Sequence, residues 1–123
     1  MFAELNKSQM KTSYFNREDL QKFGNITEFQ EEMGKKFFAW YGEVFAEGAL
    51  TVREKSLIAL AVAHTVQCPY CIDAYTASCM TNGADEEQMM EAVHVAAAFI
   101  GGAILANSVM MMTYVKENIM YCT

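Results

Sequence analysis

From Ala92 to Met112 the chain runs twenty-one residues, AVHVAAAFIGGAILANSVMMM, without one charged side chain. A stretch of that length suffices to span a bilayer. His94, Asn107, the central Gly101-Gly102 pair and the acidic lead-in DEEQMME fit a buried helix pair instead, so no membrane contact is expected. Gly101-Gly102 is read as either a kink or a tight turn into a last helix, Ala103 to about Lys116. Around this run, residues 56 to 123 hold a single basic residue, Lys116, against six acidic ones, and 53% of the whole chain is hydrophobic. Too little polar surface remains for a comfortable monomer. A subunit interface, and hence a homo-oligomer, is expected to cover part of that half.

The remaining pattern is also helical. Residues 1 to 24 are weakly patterned, with Asn16-Arg17-Glu18-Asp19 suited to start a short helix that Gly24 ends. Phe29, Met33, Phe37, Trp40 and Val44 recur every three or four residues, which predicts an apolar helix face from Thr27 to Phe45. Thr51 with Glu54 has capping-box spacing and predicts a helix from about Arg53 to Gln67. Pro69 fits the first position of the next helix, making Cys68 its N-cap and Gly83 its left-handed terminator. Asp85 with Gln88 repeats the capping box and opens the apolar helix. With no hairpin, repeat or linker signal, the reading is a single all-α domain, residues 1–123, of five or six helices.

Net charge narrows the function. At −6, with nine dispersed Lys and Arg residues, the chain lacks the concentrated positive field that nucleic-acid binding needs. The opening MFAELNKSQMKTS lacks signal-peptide organisation, so a cytoplasmic location is the expectation. Ordinary thiols stay reduced there, which makes a close cysteine pair a candidate for redox, catalytic or metal chemistry.

That pair is Cys68-Pro69-Tyr70-Cys71. Unpaired amides and the dipole at a helix start stabilise a thiolate, and both sulfurs fall within that first turn. A redox pair, half of a soft-metal site, and two inert thiols are the three readings. Zinc lacks a second ligand pair, because only Cys79, Cys122, His64 and His94 remain, with no partner spacing among them. Cys79 reads as core, and Cys122 as a terminal thiol.

His64, one turn before Cys68, is a candidate acid-base group, the alternative being a core histidine bonded to a backbone carbonyl. His94 has no sequence-local thiol. Glu54 lies ten residues from His64, about 15 Å along an unbroken helix, so it reads as a cap, the alternative being a role in a pocket with the neighbouring helix. Tyr70 and Tyr75 divide between packing and a phenolic hydrogen bond, with Tyr75 favoured because it sits one turn after Cys71 on the same face.

Taken together, the stretch from Arg53 to Ile104, with Cys68, Cys71, Gly83 and Gly101-Gly102 in corresponding places, resembles the carboxymuconolactone decarboxylase and alkylhydroperoxidase D superfamily, over a core of about residues 50–112. The resemblance implies an all-helical subunit assembling as a dimer, trimer or hexamer. It also implies a peroxidase that reduces organic hydroperoxides, with Cys71 attacking and Cys68 resolving. Re-reduction would come from a dithiol protein, and no bound cofactor or metal is expected. The family's relay glutamate and two histidines are replaced here by Ser56, Tyr70 and Tyr75, so His64 with Tyr75 is the candidate rebuilt relay. A peroxidase-like subgroup associated with arsenosugar biosynthesis is also similar. The lactone decarboxylase branch, which uses no CxxC redox pair, is a poorer functional match.

The leading expectation is a cytoplasmic thiol-dependent peroxidase acting through Cys71, Cys68, His64 and Tyr75. Two alternatives are a thiophilic subunit that captures arsenite and a catalytically degenerate structural oligomer.

Overall fold

The computed structural model describes residues 15–119, and within them the chain is helical with no β-strand. The elements are α1 (Arg17–Leu20), a 3₁₀ segment (Phe23–Glu28), α2 (Glu31–Phe45), α3 (Val52–Thr65), α4 (Pro69–Thr81) and α5 (Glu86–Asn118). Residues 1–14 and Cys122 lie outside the described residues.

α3 and α4 form an antiparallel pair, and α3 also packs against α5. Between them sits a small core of Leu60, Cys79 and Ala84, with Leu57, Tyr75 and Met89 packed against it. Polar groups close the same interface. The Ser56 hydroxyl lies 2.9 Å from both the Val52 carbonyl and the Ser78 hydroxyl, and the Asn82 amide donates to the Ser78 carbonyl at 2.8 Å. Ser56 is only 1% exposed, so these bonds remove what would otherwise be a buried unpaired hydroxyl.

The helix ends follow the chemistry read from the sequence. Thr51 accepts from the Glu54 amide at 3.1 Å, and Asp85 with Gln88 closes the full reciprocal capping box. Gly83 takes φ +84° after α4, a conformation that costs glycine least.

Three boundaries differ from expectation. α1 stops at Leu20, and a 3₁₀ segment runs through Gly24 instead of ending there. α2 starts at Glu31 rather than Thr27, because the chain first turns to bring the 3₁₀ segment onto it. At that crossing a Cβ on Gly34 would sit 2.9 Å from the Thr27 Cα, so the close approach requires glycine. Gly101-Gly102 forms no turn: α5 is one helix of 33 residues, about 50 Å long. Two glycines cost it about 2 kcal/mol in propensity, and apolar neighbours on both sides carry the helix through.

The expected burial of the apolar run is not met within one chain. Almost none of its most apolar stretch is covered, although that stretch is long and apolar enough to cross a membrane. Leu105 is 72% exposed and Met110 76%. The N-terminal aromatic face is likewise open, with Phe29, Met33 and Trp40 exposed.

Candidate active site

The turn between α3 and α4 positions the cysteines. α3 ends with Gln67 at φ +54°, its amide donating to the His64 carbonyl at 3.2 Å, while the Cys68 amide donates to the Ala63 carbonyl at 3.1 Å. This reversal leaves Cys68 extended as the N-cap of α4, with Pro69 at the first helical position, where a missing N–H costs nothing. Cys71 then stands at the third helical position. Its amide donates to the Cys68 sulfur at 3.3 Å, the two Cα atoms are 5.2 Å apart, and the sulfurs are joined as a disulfide.

Two cavities flank the disulfide. The first, about 460 Å³, lies between α2, α3 and α4 and is lined by Tyr41, Phe45, Ile58, Val62, Cys71 and Tyr75 among others, with Lys55 its one charged residue. The second, about 550 Å³, opens toward α1 and the 3₁₀ segment and includes Leu20, Phe23, Ile26, Cys68, Tyr70 and Cys71. Tyr41, Cys71 and Tyr75 line both, whereas Cys68 belongs to the second alone.

Tyr75 stacks on Phe45 with ring centroids 5.3 Å apart. That contact fixes the ring on the wall it shares with Cys71. Burial pushes the Tyr41 phenol above its ordinary pKa, keeping it protonated well into alkaline solution. On the second cavity's rim, Arg17 grips Asp73 with two bonds, Nε at 2.9 Å and Nη2 at 2.8 Å, and Phe15 meets Tyr70 edge-on at 4.8 Å. These contacts hold α1 against α4 beside the disulfide.

His64 stands elsewhere. Its Nδ1 lies 2.8 Å from the Leu60 carbonyl; a carbonyl can only accept, so Nδ1 carries the proton and Nε2 is left as the open nitrogen. The ring lines a third cavity of about 220 Å³ with Gln67, Val93 and Ala96, between α3 and α5. The structure thus brings Cys68, Cys71, Tyr70 and Tyr75 together around the second cavity and sets His64 on another face. Glu54 is exposed at the start of α3 and His94 is exposed on α5. Cys79 is fully buried in the core, where desolvation raises its thiol pKa. Ser56 is spent on clasping α3 to α4.

Sequence reading missed Tyr41 and Lys55. Tyr41 carried a signal, since it continues the aromatic ladder Phe37, Tyr41, Phe45 at four-residue spacing. Lys55 carried none, because its partners are carbonyls at the end of a different helix: its ammonium donates to Val44 at 2.8 Å and Ala46 at 2.5 Å. Among the described residues, no three Cys, His, Asp or Glu side chains gather as a metal-binding cluster.

Comparison with known proteins bears on the family and the fold. The model of the carboxymuconolactone decarboxylase family matches residues 31–112, which include the whole of the α3–α4 pair and the cysteines. A curated relative in Paracoccus denitrificans, described as uncharacterized protein 4 in the cox locus, is 49% identical over 72 residues. The match takes in 58% of this chain and 65% of that protein's length. A crystal structure of a protein from Methanobacterium thermoautotrophicum superposes with a TM-score of 0.67 at 29% identity, covering 70% of this chain and 97% of that one.

Proposed function

The chain belongs to the carboxymuconolactone decarboxylase family, and from that premise we propose that it is a thiol-dependent peroxidase cycling Cys68 and Cys71 between dithiol and disulfide. The observation that carries the reading is the bonded pair in the first turn of α4, with Cys71 opening onto an apolar cavity.

In the reduced protein the Cys71 thiolate attacks the terminal peroxide oxygen. The O–O bond breaks, Cys71 becomes a sulfenic acid, and the leaving alkoxide takes a proton to depart as alcohol. Tyr75, on the same cavity wall, is the proton donor this geometry favours. The Cys68 thiolate then attacks the Cys71 sulfur, the S–S bond forms, and water leaves. The Cys71 amide that already points at the Cys68 sulfur stabilises that thiolate. A dithiol protein reductant returns two electrons by thiol–disulfide exchange, so one hydroperoxide and one dithiol become alcohol, water and one disulfide. The second cavity, which Cys68 lines, is the side from which that partner approaches.

We assign the uncovered distal half of α5 to contact between copies in a cytoplasmic homo-oligomer. Its helix is continuous with a proximal half packed on α3, as in a water-soluble domain.

Stopped-flow oxidation of the reduced protein by cumene hydroperoxide tests the reading. Cys71→Ser abolishes the peroxide step, while Cys68→Ser retains it but stops at the sulfenic acid. Tyr75→Phe slows the step by roughly 10² to 10⁴-fold, and His64→Gln leaves it near wild type. Undiminished turnover in both cysteine variants removes the function. A large loss in His64→Gln with Tyr75→Phe unaffected moves the relay to the imidazole.

A further inference from the structure

The cavity shared by Cys71 and Tyr75 has a charge at its far end that the peroxide chemistry above does not use. Lys55 begins the lining of α3, which continues through Ile58, Ala59, Val62 and Val66 toward the turn that carries the cysteines. Eleven residues of helix separate Lys55 from Val66, so the cavity runs along about 16 Å of α3. Lys55 lies at one end and the disulfide beyond the other. The wall between them is apolar apart from the phenols of Tyr41 and Tyr75. At about 460 Å³ it is in the size range of small-molecule sites.

The ammonium is held in place but not neutralised. Two of its three N–H groups go to the Val44 and Ala46 carbonyls, which complement the dipole at the end of α2. Among the described residues no carboxylate lies within ion-pair distance of it. Gly48 lies beside it, where an added Cβ would stand 3.7 Å from the nitrogen, an ordinary van der Waals contact. An uncompensated cation at one end of an apolar trough, with a reactive sulfur toward the other, matches a molecule that has a carboxylate head and a hydrocarbon body.

We propose that this cavity binds long-chain carboxylates and that Lys55 is the residue selecting them. Resting on the peroxidase reading, this makes the substrate an acyl-chain hydroperoxide with a free carboxylate. The carboxylate takes the third N–H of Lys55, the chain lies along α3, and the hydroperoxide group reaches Cys71. In a chain of net charge −6 the preference is local to this cavity, not a general attraction for anions.

The test uses the full oxidised chain with cis-parinaric acid and its methyl ester as fluorescent probes, so that no peroxide chemistry enters. The acid binds roughly tenfold to a hundredfold tighter than the ester, the difference a charge-assisted hydrogen bond makes. Lys55→Gln brings the acid down to the ester's affinity and leaves the ester unchanged, while Lys55→Arg keeps the preference. Equal affinities in the wild type overturn the proposal. So does a Lys55→Gln loss shared equally by acid and ester, which would make Lys55 only a cap on α2. Acid binding that weakens as protein concentration rises also overturns it, because a second copy then fills the cavity. Linoleic acid hydroperoxide and its methyl ester separate this inference from the function beneath it. If cumene hydroperoxide oxidises the pair while acid and ester react and bind alike, the selectivity fails and the peroxidase stands. If the acid binds through Lys55 but no hydroperoxide oxidises the pair, the site stands and the peroxidase fails.

Discussion

The α3–α4 pair and the distal half of α5 are built from the same apolar alphabet, yet only the first is complete within one chain. In α3–α4, Leu60 and Cys79 are buried, Ser56 and Asn82 satisfy one another's surroundings, and both helices are capped. Beyond Gly102, α5 offers Ile104, Leu105, Val109, Met110 and Tyr114 to solvent among the described residues. One region is stabilised in cis, and for the other we propose a surface in trans. The two should therefore respond to mutation in different ways, the first independently of protein concentration and the second through it.

The largest effect is expected at the open end. Leu105→Asp puts an unpaired carboxylate into the contact between copies, at about 3 kcal/mol or more, which is over a hundredfold in association. Light scattering should find the variant reduced to 13.8 kDa particles at micromolar concentration, with helicity of α3 and α4 retained. An unchanged assembly would place the contact elsewhere, the exposed face of α2 being the alternative.

Next in size is Leu60→Ala, which hollows the closed region. Truncating a 2% exposed leucine costs about 2–5 kcal/mol, depending on how far Cys79 and Ala84 can relax into the space. Chemical denaturation should give that loss at every protein concentration. A loss that grows on dilution would mean that even this core depends on the oligomer, and the contrast between the two regions would dissolve.

The same contrast sets what could be read from the sequence. Caps and terminators are local, so Thr51, Cys68 with Pro69, Gly83, and Asp85 with Gln88 could each be read from a few neighbouring residues. That placement set Cys68 and Cys71 in one turn, while a redox pair, half of a metal site and two inert thiols all stayed open. Relations between helices were not legible. Ser56 meets Ser78 across a 22-residue separation, and Lys55 finds carbonyls on the preceding helix. His64 looked adjacent to Cys68 by spacing, but the reversal at Gln67 intervenes and the ring faces α5. Gly101-Gly102 was open to two readings, a kink or a tight turn, and the turn is absent because the apolar helix on either side carries through.

A smaller, pH-dependent effect sharpens the contrast from the closed side. An unfolded thiol ionises near pH 8.5, whereas burial holds Cys79 protonated above its ordinary range in the folded chain. Below about pH 8 both states are protonated and the full stability is present. Above it the unfolded state releases a proton that the folded state keeps, so stability falls by up to about 1.4 kcal/mol per pH unit until the raised folded pKa is passed. Tyr41 adds the same sign of change beginning near pH 10. Denaturation of the oxidised protein from pH 7 to 10 should therefore lose stability, and Cys79→Ala, though less stable at pH 7, should show a flatter slope. An equal slope in the variant would assign the alkaline loss to other groups.

The smallest effect asks whether the closed region is relaxed throughout. α3 and α4 end in the same hydrogen-bonded reversal: Ala84 donates to Cys79 and Gly83 to Met80, just as Cys68 donates to Ala63 and Gln67 to His64. Glycine occupies the left-handed position in one turn and glutamine in the other. A non-glycine residue there is strained by about 1–2 kcal/mol. Gln67→Gly relieves that strain but adds freedom to the unfolded chain worth about 0.4–1 kcal/mol, leaving a net gain of about 1 kcal/mol or less. The melting temperature should rise by a few degrees. Gln67→Asn should fall between the two, since asparagine tolerates the conformation while keeping a polar side chain. If Gln67→Gly instead lowers stability, the glutamine side chain, which lines the His64 cavity, contributes more than its backbone costs. The turn that presents Cys68 would then be held from the α5 side, and the closed and open regions would be coupled through Gln67.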